Sequence, residues 1–154
     1  MLPDSGCGHL VHRPDPDRRH LKVDETWDYA TFPPTAGPHD ADSLPSGTYH
    51  AAPTEAAAGT GGVTWTRIVH SLEHGYVVIV HEDDTAPDEV ADWVQRHLPD
   101  GKLISVPAGR GMERPIALLA WERLMWCADA EHPVMDAFLN AYRAGPTAPE
   151  PEGP

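Results

Sequence analysis

The stretch YVVIVHEDDTAPDEVADWVQRHLPDGKLISV, residues 76–106, decides the fold, because it contains a strand, a helix and a second strand in succession. Residues 76–80 are apolar on both faces, which predicts a central buried strand. Thr85 begins a helix with a buried apolar stripe, and the Pro-Asp-Gly sequence of residues 99–101 ends it. The next strand is predicted at residues 102–106, and a right-handed crossover makes the two strands parallel.

Further apolar runs flank this unit on both sides. Residues 63–69 alternate in a way that predicts another strand. Residues 116–121 predict a third apolar strand, which runs into a short helical turn near Leu124, and a last helix runs from Pro133 to Gly145. The predicted class is α+β: a single compact domain with a small mixed β-sheet, two main helices and long ordered loops rich in proline and glycine.

Three segments are predicted along the chain. Residues 1–19 are polar and irregular, which predicts an N-terminal arm. Residues 20–145 form the α+β domain, and its first part, residues 20–62, contains many turn formers and is predicted to be a long ordered loop that wraps the domain. Residues 146–154 are acidic and proline-rich, and we predict a disordered tail there.

Charge and cysteine content limit the function and the compartment. The formal net charge of −13 argues against nucleic acid and anionic membranes as partners. No apolar run has the length of a transmembrane helix and no signal peptide is visible, so the chain as given is predicted to be cytoplasmic, with export of a longer precursor left open. Cys7 and Cys127 could form one disulfide, but without an export signal we favour unpaired thiols.

The chain is rich in histidine, the most common side-chain ligand of transition metals. The sequence PPTAGPH, residues 33–39, ends on His39. Three prolines and a glycine leave this loop little freedom, so it presents His39 at a set position, as a ligand requires. Local chemistry leaves a rigid surface corner with an incidental histidine equally open. The ten histidines are His9, His12, His20, His39, His50, His70, His74, His81, His97 and His132.

The sequence HSLEHG, residues 70–75, lies immediately before the central strand. Histidines four residues apart on one helical turn lie on the same face and can bind one ion. The H-x-x-E-H pattern also matches an inverted zinc-peptidase motif, but Gly75 and the following strand end any helix too early for it. Glu73 can orient an imidazole from beside the metal. The alternative is that His70 and His74 merely cap a buried strand.

Met112 and His81 have weaker support. Met112 lies in the loop PAGRGMERP, residues 107–115, outside any apolar stripe. Methionine beside imidazoles is a soft ligand set that suits copper, although a loop methionine more often packs on the core. His81 ends the central strand beside the acidic residues 82–84, whose spacing is that of a solvated turn and not of a calcium loop.

These motifs together resemble the bacterial family known as domain of unknown function 3105. That family carries PPTSGPH, then HSLEHGG with a following VV strand, then a P-x-A-L-T-A-W-like strand. This chain has PPTAGPH, VHSLEHG and PIALLAW in the same order, and the resemblance covers roughly residues 20–145. By motif, it implies a site of His20, His39, His70 and His74, with Glu73 beside them.

The chain departs from the family pattern at three positions. Ala36 replaces a serine, Tyr76 replaces the second glycine after HSLEH, and Glu122 stands where glycine usually follows the tryptophan. Tyr76 is predicted to bring a phenol close to the site and to shape substrate access. Many members of the family carry a membrane anchor, and its absence here suggests a soluble, specialised offshoot.

The leading hypothesis is a mononuclear copper site of His39, His70 and His74, with His20 and Met112 as possible further ligands. Three imidazoles with an open position give O₂ or substrate access to the metal. We therefore expect a copper-dependent oxidoreductase that acts on a small molecule or a peptide, with Glu73 and Tyr76 as the residues nearest the chemistry. The oligomeric state stays open.

Three alternatives differ in what they require of the site. A non-catalytic copper carrier would be closed by four ligands, Met112 among them, and would have no adjoining pocket. A zinc hydrolase would use Glu73 as its general base. A non-haem iron enzyme would need two histidines and one carboxylate on the metal, and no clean motif of that kind is visible.

Overall fold

The computed structural model describes residues 2–154 and arranges six strands in one mixed sheet, in the order β1-β6-β5-β3-β4-β2. The predicted α+β class is confirmed. Among residues 2–154, no helix combines the length and the apolar character needed to cross a bilayer. The elements are β1 (Cys7–His12), β2 (Gly47–Thr48), α1 (Trp65–Glu73), β3 (Val77–His81), α2 (Asp88–His97), β4 (Leu103–Pro107), β5 (Ile116–Ala120), β6 (Arg123–Cys127) and α3 (His132–Tyr142), with a 3₁₀ turn at Leu98–Asp100.

The strand-helix-strand unit forms as predicted. β3 and β4 pair in parallel, with Val77 opposite Leu103 at one end and His81 opposite Pro107 at the other. Every residue of β3 is buried, because the sheet is covered on both faces. The core has two parts: Val78 and Val80 of β3 pack on the α1 side of the sheet, and the alternate residues of β3 pack on the side of α2 and α3.

The predicted strand at residues 63–69 is wrong, because these residues begin helix α1. The Thr64 side chain caps the helix by accepting a hydrogen bond from the Arg67 backbone N–H. The buried residues follow helical spacing at i, i+3, i+4 and i+7, which puts one continuous stripe against the sheet. These are Trp65, Ile68, Val69 and Leu72.

The turn predicted near Leu124 is also wrong, since residues 123–127 form strand β6, antiparallel to β5. Glu122 lies in the tight connection between them with a φ of 60°, a left-handed conformation that favours glycine. Its carboxylate accepts a hydrogen bond from the Asp15 backbone N–H at 2.6 Å, and its own backbone N–H donates to Thr35. The connection therefore ties the N-terminal segment and the loop at Thr35 to the sheet.

The N-terminal segment contains a strand that was not predicted. β1 pairs with β6 at the edge of the sheet, with Leu10 opposite Met125. Cys7 lies opposite Cys127, and the two sulfurs form a disulfide. The preference for unpaired thiols is therefore wrong, because it relied on the lack of an export signal and not on strand pairing.

Residues 144–154 cover the C-terminal end of α1, where a helix leaves its last carbonyl groups without partners. The Ala144 N–H donates to the Gly75 carbonyl at 2.9 Å, and the Glu150 N–H donates to the Glu73 carbonyl at 3.0 Å. The Lys102 ammonium donates to the His74 carbonyl at 2.8 Å. The segment 146–154, predicted to be disordered, thus lies against the turn that carries His74.

Replacing Gly75 with alanine is expected to lower the free energy of unfolding by about 2–4 kcal/mol. Gly75 has a φ of 82°, and a Cβ there would lie 2.9 Å from the Ala144 Cα. Gly61 provides the matched control, since its φ is 80° and a Cβ would meet nothing within 4 Å. Urea denaturation of G75A and G61A separates the cost of the contact with Ala144 from the cost of the left-handed backbone conformation. Equal losses of stability in the two variants would contradict close packing at Gly75.

Candidate metal centre

His20 and His39 are brought side by side by the backbone. The two residues form an isolated parallel bridge, in which the Leu21 N–H donates to the His39 carbonyl at 2.8 Å and the His39 N–H donates to the Arg19 carbonyl at 3.2 Å. The rings are 5.1 Å apart between centroids. The rigid loop predicted for residues 33–39 therefore ends on a paired and fully buried His39.

The C-terminal turn of α1 supplies three more groups. His70 and Glu73 are only 6% and 3% exposed, and His74 caps the helix. The helix is anchored to the His39 loop, because the Asp40 N–H donates to the Thr66 carbonyl at 3.2 Å. One short helix thus positions three candidate ligands against the loop that carries His39.

Four histidines and one carboxylate converge in two overlapping groups of candidate ligand atoms. In the first group, the atoms of His20, His39 and His70 lie within 4.8 Å of one another. In the second, the same limit holds for His70, Glu73 and His74. His70 belongs to both groups, so it lies at the centre of the cluster.

The backbone sets the tautomers of three rings. The Nδ1 atom of His39 lies 2.8 Å from the Gly37 carbonyl oxygen, and that of His70 lies 2.7 Å from the Asp40 carbonyl oxygen. His74 Nδ1 lies 3.1 Å from the backbone oxygen at residue 154. A carbonyl oxygen only accepts, so each Nδ1 donates and each neutral ring keeps its lone pair on Nε2. This arrangement is typical of metal-binding histidines.

The Nε2 atoms of His70 and His74 are 3.1 Å apart. When both rings are neutral and carry their protons on Nδ1, the lone pairs of the two Nε2 atoms face each other. The contact becomes attractive only when a proton or a metal ion lies between the two nitrogens. Two nitrogens at zinc- or copper-like bond lengths and a tetrahedral angle are separated by about 3.3 Å. The observed distance therefore fits two ligands of one ion.

Glu73 adds a negative charge to this cluster. Its Oε1 lies 3.3 Å from His39 Nε2, yet both buried atoms lack a hydrogen-bond partner. Burial raises the pKa of Glu73, but the positive charge of a protonated His39 ring and the carboxyl group of Glu150 lower it to about 2. Burial lowers the pKa of His70. An ionised carboxylate and a neutral imidazole are the forms that bind a metal ion.

Met112, predicted as a possible ligand, lies away from the cluster, and Tyr76, predicted beside the site, is buried in the core. The Met112 N–H donates to Glu82 at 2.6 Å, beyond the C-terminal end of β3, whereas His74 precedes the other end of that strand. β3 is roughly 13 Å long, which separates the two positions. Tyr76 packs in the core on the α1 side of the sheet, with the Lys102 ammonium 6.0 Å from its ring centroid.

A cavity of about 330 Å³ adjoins the cluster and is lined by Arg18, His20, Glu73 and Glu150. Two of these residues, Arg18 and Glu150, were not predicted from the sequence. Arg18 lies 3.7 Å from Glu73 Oε2, and Glu150 lies 3.7 Å from His74 Nε2. No local motif marks either residue, because each reaches the site through long-range contacts. Asp40 was also missed, although its position directly after His39 was a usable signal.

Searches among curated proteins and among solved structures found no match. A family model matches residues 20–154, which include both histidine motifs and the segment that covers the end of α1. The predicted resemblance is thereby confirmed over nearly the whole chain: the chain belongs to the family described as protein of unknown function (DUF3105).

Proposed function

We propose that the histidine cluster binds a single copper ion and that the protein is a copper-dependent oxidoreductase. The observation that carries the proposal is the group of His20, His39 and His70, three imidazoles whose candidate ligand atoms lie within 4.8 Å of one another. Imidazole ligands suit copper, and three of them leave a coordination position free. When bound, copper would supply one-electron redox chemistry with O₂.

The chain's own residues provide the surroundings of the reaction. The carbonyl groups of Gly37 and Asp40 hold two imidazoles in the orientation needed for binding. The cavity beside His20 gives a small molecule or the end of a peptide access to the cluster, which favours an enzyme over a closed copper carrier. Arg18, at its wall, can pair with an anionic group of a substrate, because its ion pair with Glu73 is long and half exposed.

A second candidate is supported by the group of His70, Glu73 and His74. Two imidazoles and a carboxylate are the ligand set of many non-haem iron oxygenases. The sequence analysis found no clean motif for this set, although His70, Glu73 and His74 were predicted to lie on one helical turn. Both candidates share His70, but the copper site also uses His20 and His39 and the iron site also uses Glu73 and His74. Substitution of a residue that is not shared therefore separates the two candidates.

We also propose that the protein works in an oxidising compartment. Disulfides persist in oxidising compartments and are rare in the cytosol. The bond between Cys7 and Cys127 therefore favours an oxidising compartment over the cytoplasm predicted from the sequence.

Metal content tests both candidates. Wild-type protein loaded separately with Cu(II), Fe(II) and Zn(II) is expected to retain one copper per chain after desalting, with a nitrogen-coordinated Cu(II) signal in electron paramagnetic resonance. His39→Ala should lose copper and His74→Ala should keep it. The reverse pattern with retained iron would support the second candidate and contradict the first.

Oxygen consumption tests the proposed oxidoreductase activity separately from metal binding. Copper-loaded protein with ascorbate as reductant is expected to consume O₂, whereas a carrier would hold copper without doing so. Preferential retention of zinc, or no retained metal, would contradict the proposal.

A further inference from the structure

A cavity of about 760 Å³ lies at the other end of β3 from the histidine cluster. Its wall is built from the parallel strands β2, β3 and β4 and from one side of α2. Crevices at the carboxyl ends of parallel strands are common ligand sites, and this volume suits a small organic molecule. Thr48, His81 and Ser105 line it from the strands, and Ala91, Val94 and Leu98 line it from α2.

His81 lines this cavity and is only 3% exposed. Its Nδ1 donates to the Asp83 carbonyl oxygen at 2.6 Å, which fixes the ring and leaves Nε2 as an acceptor. Among residues 2–154, no protein group donates to that Nε2. Burial lowers the pKa of His81, which favours the neutral form of the ring. The cavity is thus lined by an acceptor that a ligand or water can reach.

The charges around the cavity have one sign. Asp84 and Asp88 lie at the rim, and within residues 2–154 no lysine or arginine lines the wall. Asp88 also begins α2, where its carboxylate offsets the positive end of the helix. An anion would therefore be repelled, and a cation would be attracted.

A metal ion does not fit this cavity. Within residues 2–154, the groups of three candidate ligand atoms close enough for one ion are those at the histidine cluster, and His50, His81, Asp84 and Asp88 form no such group. A larger ligand can reach several of these side chains at once. The side chains of Ala91, Val94 and Leu98 provide an apolar wall on α2 for its body.

We propose that this cavity binds an organic cation, namely a primary amine attached to an apolar body. The ammonium group donates a hydrogen bond to His81 Nε2 and is attracted by the charges of Asp84 and Asp88, while the apolar body packs on α2. This proposal does not depend on the metal centre, because none of these residues belongs to the histidine cluster.

Benzylamine is a suitable probe, with benzyl alcohol as its neutral analogue and benzoate as its anionic one. In a titration followed by ¹H–¹⁵N NMR of the whole chain, benzylamine is expected to give saturable shifts at residues of the cavity wall. Benzyl alcohol and benzoate should bind more weakly or not at all. Equal binding of all three probes, or shifts confined to other surfaces, would overturn the proposal.

The variant Asp84→Asn/Asp88→Asn tests the charges without disturbing the core, because both side chains are exposed. Two exposed ion pairs contribute about fivefold in affinity, so benzylamine should bind about fivefold more weakly to it. Asp92→Asn is the matched control, since Asp92 is an exposed carboxylate of the same helix that does not line the cavity. An unchanged affinity in the double variant, or an equal loss in the control, would overturn the proposal.

Discussion

His70→Ala is expected to weaken metal binding by roughly a hundredfold and to abolish stoichiometric retention of metal after desalting. Structural zinc sites with four ligands contribute about 10–16 kcal/mol of binding free energy, which is on the order of 3 kcal/mol per ligand, and we expect a loss of that size for one imidazole. His70 belongs to both candidate ligand groups. Its removal should therefore affect copper and iron alike, unlike the removal of His39 or His74.

The measurement is a competition titration of copper against a chelator of known affinity, with His9→Ala as the control. His9 is exposed on β1, away from the cluster, and should bind like wild type. A second readout excludes simple misfolding, since the far-UV circular dichroism spectrum of metal-free H70A should match that of metal-free wild type. Wild-type copper affinity in H70A would show that the ion, if bound, uses other residues.

Removal of the disulfide is the second large effect that we expect. The bond joins residues 120 positions apart in sequence and holds the edge strand β1 on β6. In the chain-entropy account, a cross-link of this span stabilises the folded state by about 5 kcal/mol, and removal of native disulfides typically costs about 2–5 kcal/mol. Cys7→Ala/Cys127→Ala should therefore lower the free energy of unfolding by at least 2 kcal/mol.

Alanine is the appropriate replacement, because Cys127 is fully buried among apolar side chains and a serine hydroxyl would lack a partner there. Wild-type protein unfolded in urea with and without dithiothreitol separates the cross-link from the side chains. Both the double variant and the reduced wild type should show lower midpoints, and dithiothreitol should have no effect on the variant. An unchanged midpoint on reduction would argue that β1 is held by strand pairing alone.

The sequence predicted the central unit of the fold because its signals are local. β3, α2 and β4 each have an apolar pattern of the right period and a clear boundary. α1 was missed for a specific reason: Val63, Trp65 and Val69 fit an alternating pattern over a short window, while Trp65, Ile68 and Val69 fit a helical one. The Thr64 cap would have decided between the two patterns.

The long-range parts of the fold have no comparable signal. β1 has few apolar residues, and its pairing with β6 depends on a partner more than a hundred residues away. The same holds at the site. His39, His70 and His74 were identified by their local motifs and His20 by resemblance, whereas Arg18 and Glu150 reach the cavity only through tertiary contacts. Met112 lies away from the cluster, and the affinity of a thioether for copper, on which its prediction rested, carries no information about position.

The position of the cluster at the end of α1 has an electrostatic consequence. The backbone dipoles of a helix add up to about half a negative charge at its C-terminal end, where His70, Glu73 and His74 lie. With the Glu73 carboxylate, this field attracts positive charge, and the Lys102 ammonium on the His74 carbonyl offsets only part of it. For a metal that changes oxidation state, such a field stabilises the more highly charged state and so lowers the reduction potential.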